Sequence, residues 1–245
     1  MNKFIPIEAS AQGAGIGGAF VAVVMVMGML VSAWLMYVAW AWFTARQGTG
    51  ARPKAATGGM VWSVTAGLVV VELALFLGVA SPMWHGRRVT VARFDATAVR
   101  VIAQQYRWTF HYPGADGAFG ETRPALMSDE NPPGLDRASR FGADDIVTST
   151  LHVPVGHQVA AELVSRDAVH NFGVPALGVK HDVIPGVAGS VWFTADVEGT
   201  FDIQCSALCG PRHAEMRGTV IVESADAFRR FLAEEAARLP MARGK

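Results

Sequence analysis

The stretch Cys205-Ser-Ala-Leu-Cys209-Gly-Pro-Arg-His213-Ala-Glu-Met216 holds both cysteines of the chain, with an imidazole and a thioether following at steps of three or four residues. Soft sulfur ligands beside imidazole suit copper above most biological metals, and this spacing lets one loop fold around a small metal centre. A disulfide, the first expectation for two cysteines in an exported domain, leaves the placing of His213 and Met216 unexplained. Structural zinc rarely recruits a thioether, and a mononuclear blue-copper site leaves one thiolate spare. Two thiolates, two imidazoles and one thioether exceed what one tetrahedral metal accepts. Two metals bridged by sulfur use them all. The second imidazole must come from His85, His111, His152, His157, His170 or His181. His170 is favoured: in Ala168-Val-His-Asn-Phe-Gly-Val-Pro it follows an apolar strand ending near Val164, where one loop can face another. The usual alternative for each histidine is a hydrogen-bonded structural or surface role.

A 245-residue chain that is 51% apolar with zero formal charge is too apolar for one ordinary soluble domain, and the excess lies at the front. No charged residue occurs between Glu8 and Arg46, and residues 14–43 are apolar almost throughout. That exceeds the roughly 20 residues that span a bilayer and the roughly 7–15 of a signal peptide's apolar region. Residues 60–84 predict a second span, interrupted by Glu72. Trp40, Trp42, Trp62 and Trp84 sit at span ends, where amphipathic rings lie at the headgroup level. The short connection carries Arg46, Arg52 and Lys54, so it is expected inside, with both termini outside. Arg87 and Arg88 weaken that bias. The expected organisation is a tail and transmembrane hairpin over 1–88, an exported β domain over 89–224, and a C-terminal amphipathic helix and tail over 225–245.

Beyond Val89, residues 99–104, 146–153, 158–164, 191–195, 199–204 and 218–222 read as short β segments separated by Pro, Gly and Asp, a pattern of a β-sandwich or Greek-key barrel. Phe228, Leu232 and Ala236 at helical spacing, with Asp226 near the start and Arg238 near the end, predict a terminal helix. No nucleotide-binding glycine motif and no basic tract for nucleic acid is present. From Ala98 onward there are 14 Lys and Arg against 18 Asp and Glu, a net of −4. Such a balance attracts a basic soluble partner, or simply confers solubility.

Four further segments accompany the cysteine loop: Gln105-Tyr-Arg-Trp-Thr-Phe-His-Tyr-Pro-Gly, Leu151-His-Val-Pro-Val-Gly, Ser165-Arg-Asp-Ala-Val-His-Asn-Phe-Gly-Val-Pro and Gly178-Val-Lys-His-Asp-Val-Ile-Pro-Gly. With the two apolar spans, they make nearly the whole chain resemble cytochrome c oxidase subunit II, the CuA-bearing subunit of haem-copper oxidases. The resemblance implies a cupredoxin-like Greek-key barrel behind a two-helix hairpin. It implies a dinuclear copper centre on His170, Cys205, the backbone carbonyl of Ala207, Cys209, His213 and Met216, with the thiolates bridging. The expected protein is a multi-pass subunit of a bacterial-type cytoplasmic membrane, with its copper domain on the periplasmic or outer side. It accepts electrons from soluble or tethered cytochrome c and passes them to haem in the large subunit I, where oxygen is reduced; further small or third subunits are expected partners. A CuA-containing nitric oxide reductase and a membrane-anchored copper-delivery protein are the rival assignments. Relatives with quinol donors lack the cysteine ligands.

Three departures from the family pattern matter. Most relatives have Glu where this chain has Ala207, which argues against the magnesium or manganese site that the carboxylate serves. The aromatic at which the family receives electrons is a Trp; Tyr106 stands there, with Trp108 two positions on. Residues two apart on one strand point to the same face, so both are candidates for that role. Relatives often place a Glu three residues before the Trp that opens the second span; Gly59 occupies that position.

Overall fold

A computed structural model of the chain describes residues 9–10, 16–46, 58–80 and 95–239. These fall into two compact units, a helical one within residues 15–89 and a β-rich one comprising the rest. In the helical unit, α1 (Ile16–Arg46) is apolar on every described face, the mark of a helix solvated by something other than water. Its hydroxyls are satisfied within the helix: Ser32 donates to the Gly28 carbonyl at 2.7 Å and Thr44 to the Trp40 carbonyl at 3.0 Å. Arg46 closes the last turn with its guanidinium over the Trp42 ring.

Among the described residues α1 is the one helix long and apolar enough to cross a membrane, over Phe20–Thr44. The segment expected to form a second span is α2 (Gly58–Leu75), which continues into a π-helical turn at Phe76–Ala80. Its apolar stretch, Ala66–Gly78, is shorter. Residues 81–84 of the expected span, with Trp84, lie outside the described residues. Glu72 lines an apolar cleft shared with Ala22, Val26 and Met27 of α1.

The β unit contains ten strands: β1 (Thr97–Gln104), β2 (Arg107–Tyr112), β3 (Ile146–Thr148), β4 (Leu151–Pro154), β5 (Gln158–Ser165), β6 (His170–Val174), β7 (Val179–Val183), β8 (Gly189–Thr194), β9 (Gly199–Cys205) and β10 (Arg217–Glu223). They form two five-stranded sheets, ordered β3-β2-β1-β5-β8 and β4-β10-β9-β6-β7. The expected barrel thus takes the form of a two-sheet sandwich, and the single segment 146–153 is two strands, one in each sheet. Phe110, Leu163 and Phe193 from the first sheet and Phe172, Ile203 and Val220 from the second are fully buried in one core. Removing Leu163 to Ala would cost about 2–5 kcal/mol.

Strand direction puts one set of ends together. β1 and β5 run parallel and finish side by side, with Ala103 opposite Ser165. β9 finishes at Cys205 opposite Phe172, two residues into β6, and β10 starts at Arg217 opposite Gln204. Turns and loops at this end carry the residues singled out in the sequence. The opposite end is closed by α3 (Ala225–Arg238), capped by Ser224, whose hydroxyl accepts from the Ala227 amide at 3.2 Å. Phe231 of α3 stacks on His152 with ring centres 3.7 Å apart, while the His152 Nδ1 meets Glu223 at 2.9 Å.

Candidate metal centre

Because β6 and β9 are antiparallel neighbours, the start of β6 lies beside the end of β9. His170 is fully buried, and its Nδ1 lies 3.9 Å from the Cys205 Sγ. The chain then loops through Ala207, whose carbonyl oxygen is 3.2 Å from that sulfur, and returns Cys209 Sγ to within 3.8 Å of it. Both cysteines are free; bonded sulfurs would be about 2.05 Å apart. A short 3-10 turn, His213–Glu215, brings the His213 Nδ1 to 3.6 Å from Cys209 Sγ, and the buried Met216 Sδ follows at 3.8 Å. The five side chains and one carbonyl expected at a metal pair therefore converge on two neighbouring sulfurs. The donor set is soft, largely buried and free of carboxylate, which fits copper and not a hard cation.

The thiol of Cys209 is pushed up to about 11 by burial and by the adjacent Cys205 thiol. At neutral pH it is a thiol, and a metal must displace its proton to bind. His170 is held from behind: its Nε2 lies 2.8 Å from Asp167 Oδ1, which leaves Nδ1 directed at the sulfur. Such carboxylate–histidine contacts fix ring orientation at metal sites. Burial alone would raise the Asp167 carboxyl, but the amides of Gln105 and Ala168, with His170, outweigh it and hold the group below the usual carboxylate range.

Gln105 makes a second connection. Its backbone amide donates to Asp167 at 2.7 Å and its side-chain Nε2 to the Cys209 carbonyl at 2.6 Å. One residue in the β1–β2 turn is thus hydrogen-bonded to both loops of the site. Asp167 and Gln105 were absent from the sequence-derived site; the signal available for Asp167 was a carboxylate three residues before a candidate histidine.

Tyr106 and Trp108 do not share a strand. Tyr106 occupies the turn and is half-buried, whereas Trp108 lies in β2 and is 2% exposed, packed edge-on against His170 and Phe172. The turn passes close to the cysteine-loop backbone at Gly210, where φ is +141° and a Cβ would sit 2.6 Å from the Tyr106 hydroxyl. Only glycine allows both that φ and that approach. The remaining histidines are elsewhere: His111 pairs with Asp145, His152 with Glu223, and His181 contacts the Asp182 carbonyl. His157 is exposed, and His85 lies outside the described residues.

Residues 97–225, more than half of the chain, match the family described as cytochrome c oxidase subunit II, periplasmic domain. The chain belongs to this family. It is 39% identical over 167 residues to an alternative cytochrome c oxidase subunit 2 of Bradyrhizobium diazoefficiens, a match covering 67% of this chain and 60% of that one. A cytochrome c oxidase subunit 2 of Cereibacter sphaeroides is 29% identical over 230 residues, covering 88% of this chain and 73% of the relative. A crystal structure of the periplasmic domain of subunit II of cytochrome oxidase of Bradyrhizobium japonicum superposes with a TM-score of 0.46 at 28% identity, over 62% of this chain and 100% of that domain. This subunit II chain has a methyl group at Ala207, so the loop offers only a backbone oxygen at that point.

Proposed function

We propose that this chain is the electron-accepting subunit of a respiratory haem-copper oxidase, holding a dinuclear CuA centre on His170, Cys205, the Ala207 carbonyl, Cys209, His213 and Met216. The observation that carries this is the pair of unbonded sulfurs 3.8 Å apart, with the His170 Nδ1 3.9 Å from the Cys205 sulfur and the His213 Nδ1 3.6 Å from the Cys209 sulfur. When bound, the copper pair supplies a one-electron carrier whose charge is shared over two metals. The protein's part is to keep the donor atoms still, since each rearrangement on electron gain or loss would add to the barrier. Asp167 orients His170, Gln105 ties the β1–β2 turn to both loops, and the Met216 side chain closes the buried side. Tyr106 is the point at which a cytochrome c delivers one electron, because Trp108 is enclosed behind it. The electron then leaves for haem in subunit I.

The N-terminal tail supports a two-span reading. Ala9 donates to the Ala176 carbonyl at 2.7 Å and accepts from Asp196 at 2.8 Å, and Ser10 donates to the Leu177 carbonyl. The segment that precedes α1 thus belongs to the β unit. A single crossing by α1 would strand Arg46 on the far side, so the return to β1 needs another crossing. Residues 58–80 are about 33 Å of helix, enough for the roughly 30 Å hydrocarbon core. This supports a two-span hairpin, with both the tail and the copper domain on the outer face of the cytoplasmic membrane.

Electron paramagnetic resonance separates this function from copper delivery. A mixed-valence signal from the copper-loaded, full-length chain supports electron transfer; a colourless, spin-silent site that gives up Cu(I) reversibly would overturn it. Copurification with an oxygen-reducing haem subunit, as opposed to a nitric oxide-reducing one, decides the partner.

A further inference from the structure

Net charge of the β unit suggested an acidic surface for a basic donor, but the acid excess is not distributed evenly. At the opposite end of the sandwich stand Asp196, Glu198, Glu223, Asp226, Glu234 and Glu235, of which Asp226 pairs with Arg229, Glu235 with Arg238 and Glu223 with His152. That end is separated from the copper loop by the seven-residue length of β10, about 20 Å and more than two Debye lengths at physiological salt.

Around Tyr106 the count is different. Arg107, Arg166, Arg212 and Arg217 stand at the copper end with Asp129, Glu130, Asp167 and Glu215, and Asp182, across from Asn171, accepts from its side chain at 2.6 Å. Most of these charges are already committed. Arg107 pairs with Asp129 at 2.8 Å and Arg212 with Glu215 at 2.6 Å, while Asp167 accepts the hydrogen bonds that position His170 and the turn. Arg166 reaches the Gln104 side-chain oxygen at 2.9 Å, one residue from the turn. Arg212 also stands over the Tyr106 ring, 5.5 Å from its centre, so any partner meeting that ring meets a guanidinium.

We infer that the donor docks on a charge-balanced face around Tyr106, and that it is a small soluble one-electron carrier whose contact surface is itself close to neutral, not ringed by lysines. This rests on the proposed role of Tyr106. A lysine-ringed donor would find no unpaired carboxylate cluster here, and Arg212 would oppose it at the contact. Association would then proceed without strong steering and with little dependence on salt.

The test is stopped-flow reduction of the copper-loaded, full-length chain by a lysine-rich cytochrome c and by a carrier of near-zero net charge, from about 10 mM to about 300 mM ionic strength. Binding of the oxidised carriers to the copper-free chain is measured in parallel by calorimetry. The rate with the lysine-rich cytochrome should fall less than about threefold across the range, and the neutral carrier should bind at least as tightly. Combining Arg107→Glu with Arg212→Glu should raise the low-salt rate and affinity for the lysine-rich cytochrome by about tenfold or more and introduce a steep salt dependence. A fall of more than about tenfold in the unaltered chain would overturn the inference, even if Tyr106→Ala slows both carriers as the proposed role requires. If Tyr106→Ala leaves both rates unchanged, the role of Tyr106 fails and the inference with it.

Discussion

His170 and His111 are both fully buried, and each presents Nε2 to a carboxylate, at 2.8 Å to Asp167 and 2.5 Å to Asp145 respectively. They differ in what the other nitrogen faces. His170 Nδ1 looks onto Cys205 Sγ, whereas His111 Nδ1 has no hydrogen-bond partner among the described residues and its ring packs edge-on against Phe119. Asp145 also accepts from the amides of Gly114 and Gly120, fastening the long β2–β3 connection. The same side-chain pair thus stands at a strand end beside a sulfur loop in one region and fastens the core in the other. Residue type alone does not separate the two; the face offered to Nδ1 does.

Variants that remove one member of each arrangement should part the two regions. The largest effect is expected from Cys205→Ser or Cys209→Ser, which should abolish the dinuclear centre, with copper analysis falling below two atoms per chain. Unchanged copper content and spectrum in either variant would sink the bridging assignment. Asp145→Ala should cost about 3–5 kcal/mol of stability by stranding a buried partner. Chemical denaturation should register that loss, while copper bound to the surviving folded fraction keeps its spectrum.

Asp167→Ala should behave in the opposite way. Apo stability should change little, because the carboxylate is part-exposed, but copper affinity should fall about 10–100-fold and the spectrum should shift; Asp167→Asn should restore part of both. If Asp145→Ala alters the spectrum and Asp167→Ala does not, the contrast between the two histidines collapses. The Asp167 carboxyl is held below its usual range, so its contribution is complete above about pH 4 and is lost only as pH falls through the lowered value. A pH dependence of copper loading near neutrality includes release of the thiol protons, because the thiolate is the binding form. With Cys209 pushed up to about 11, apparent copper affinity should rise steadily with pH across the neutral range, as measured by competition with a chelator. A pH-independent affinity would contradict a protonated apo thiol.

The smallest effect is expected at Ala207. Ala207→Gly should leave the visible spectrum nearly unchanged, whereas Ala207→Pro should disturb it by fixing φ and removing an amide donor. Equal tolerance of both would argue against a backbone ligand.

Much of this was legible because the cysteine loop is local: four of its donors lie within twelve residues, and their convergence needs only one turn. Strands β5, β9 and β10 were also readable. β5 alternates buried and part-exposed positions over most of its length, which gives a period-two signal. β6 is buried on both faces, so His-Asn-Phe-Gly-Val shows no alternation and was missed; β2, Arg-Trp-Thr-Phe-His-Tyr, is buried in the same way and was expected only as the strand carrying Trp108. β7, Val-Lys-His-Asp-Val, resembles a polar loop because its middle is open. Gln105 and Asp167 were hidden for another reason. The partners of Gln105 are 104 and 62 residues away in the chain, and nothing local marks a glutamine as a tie between two loops; Asp167 has His170 three residues on, but its tie to the β1–β2 turn is equally long-range. Trp108 was placed on the same face as Tyr106 by a strand assumed to include both; β2 begins at Arg107, one residue beyond Tyr106, and the indole is buried in the core.

The central claim is that the two sulfurs of one loop bridge two coppers. Low-temperature electron paramagnetic resonance of the oxidised, copper-loaded, full-length chain, paired with copper quantitation, tests it most directly. The account predicts two coppers per chain sharing one unpaired electron, with hyperfine splitting from two equivalent nuclei. A single copper per chain with four-line hyperfine structure from one nucleus would contradict it.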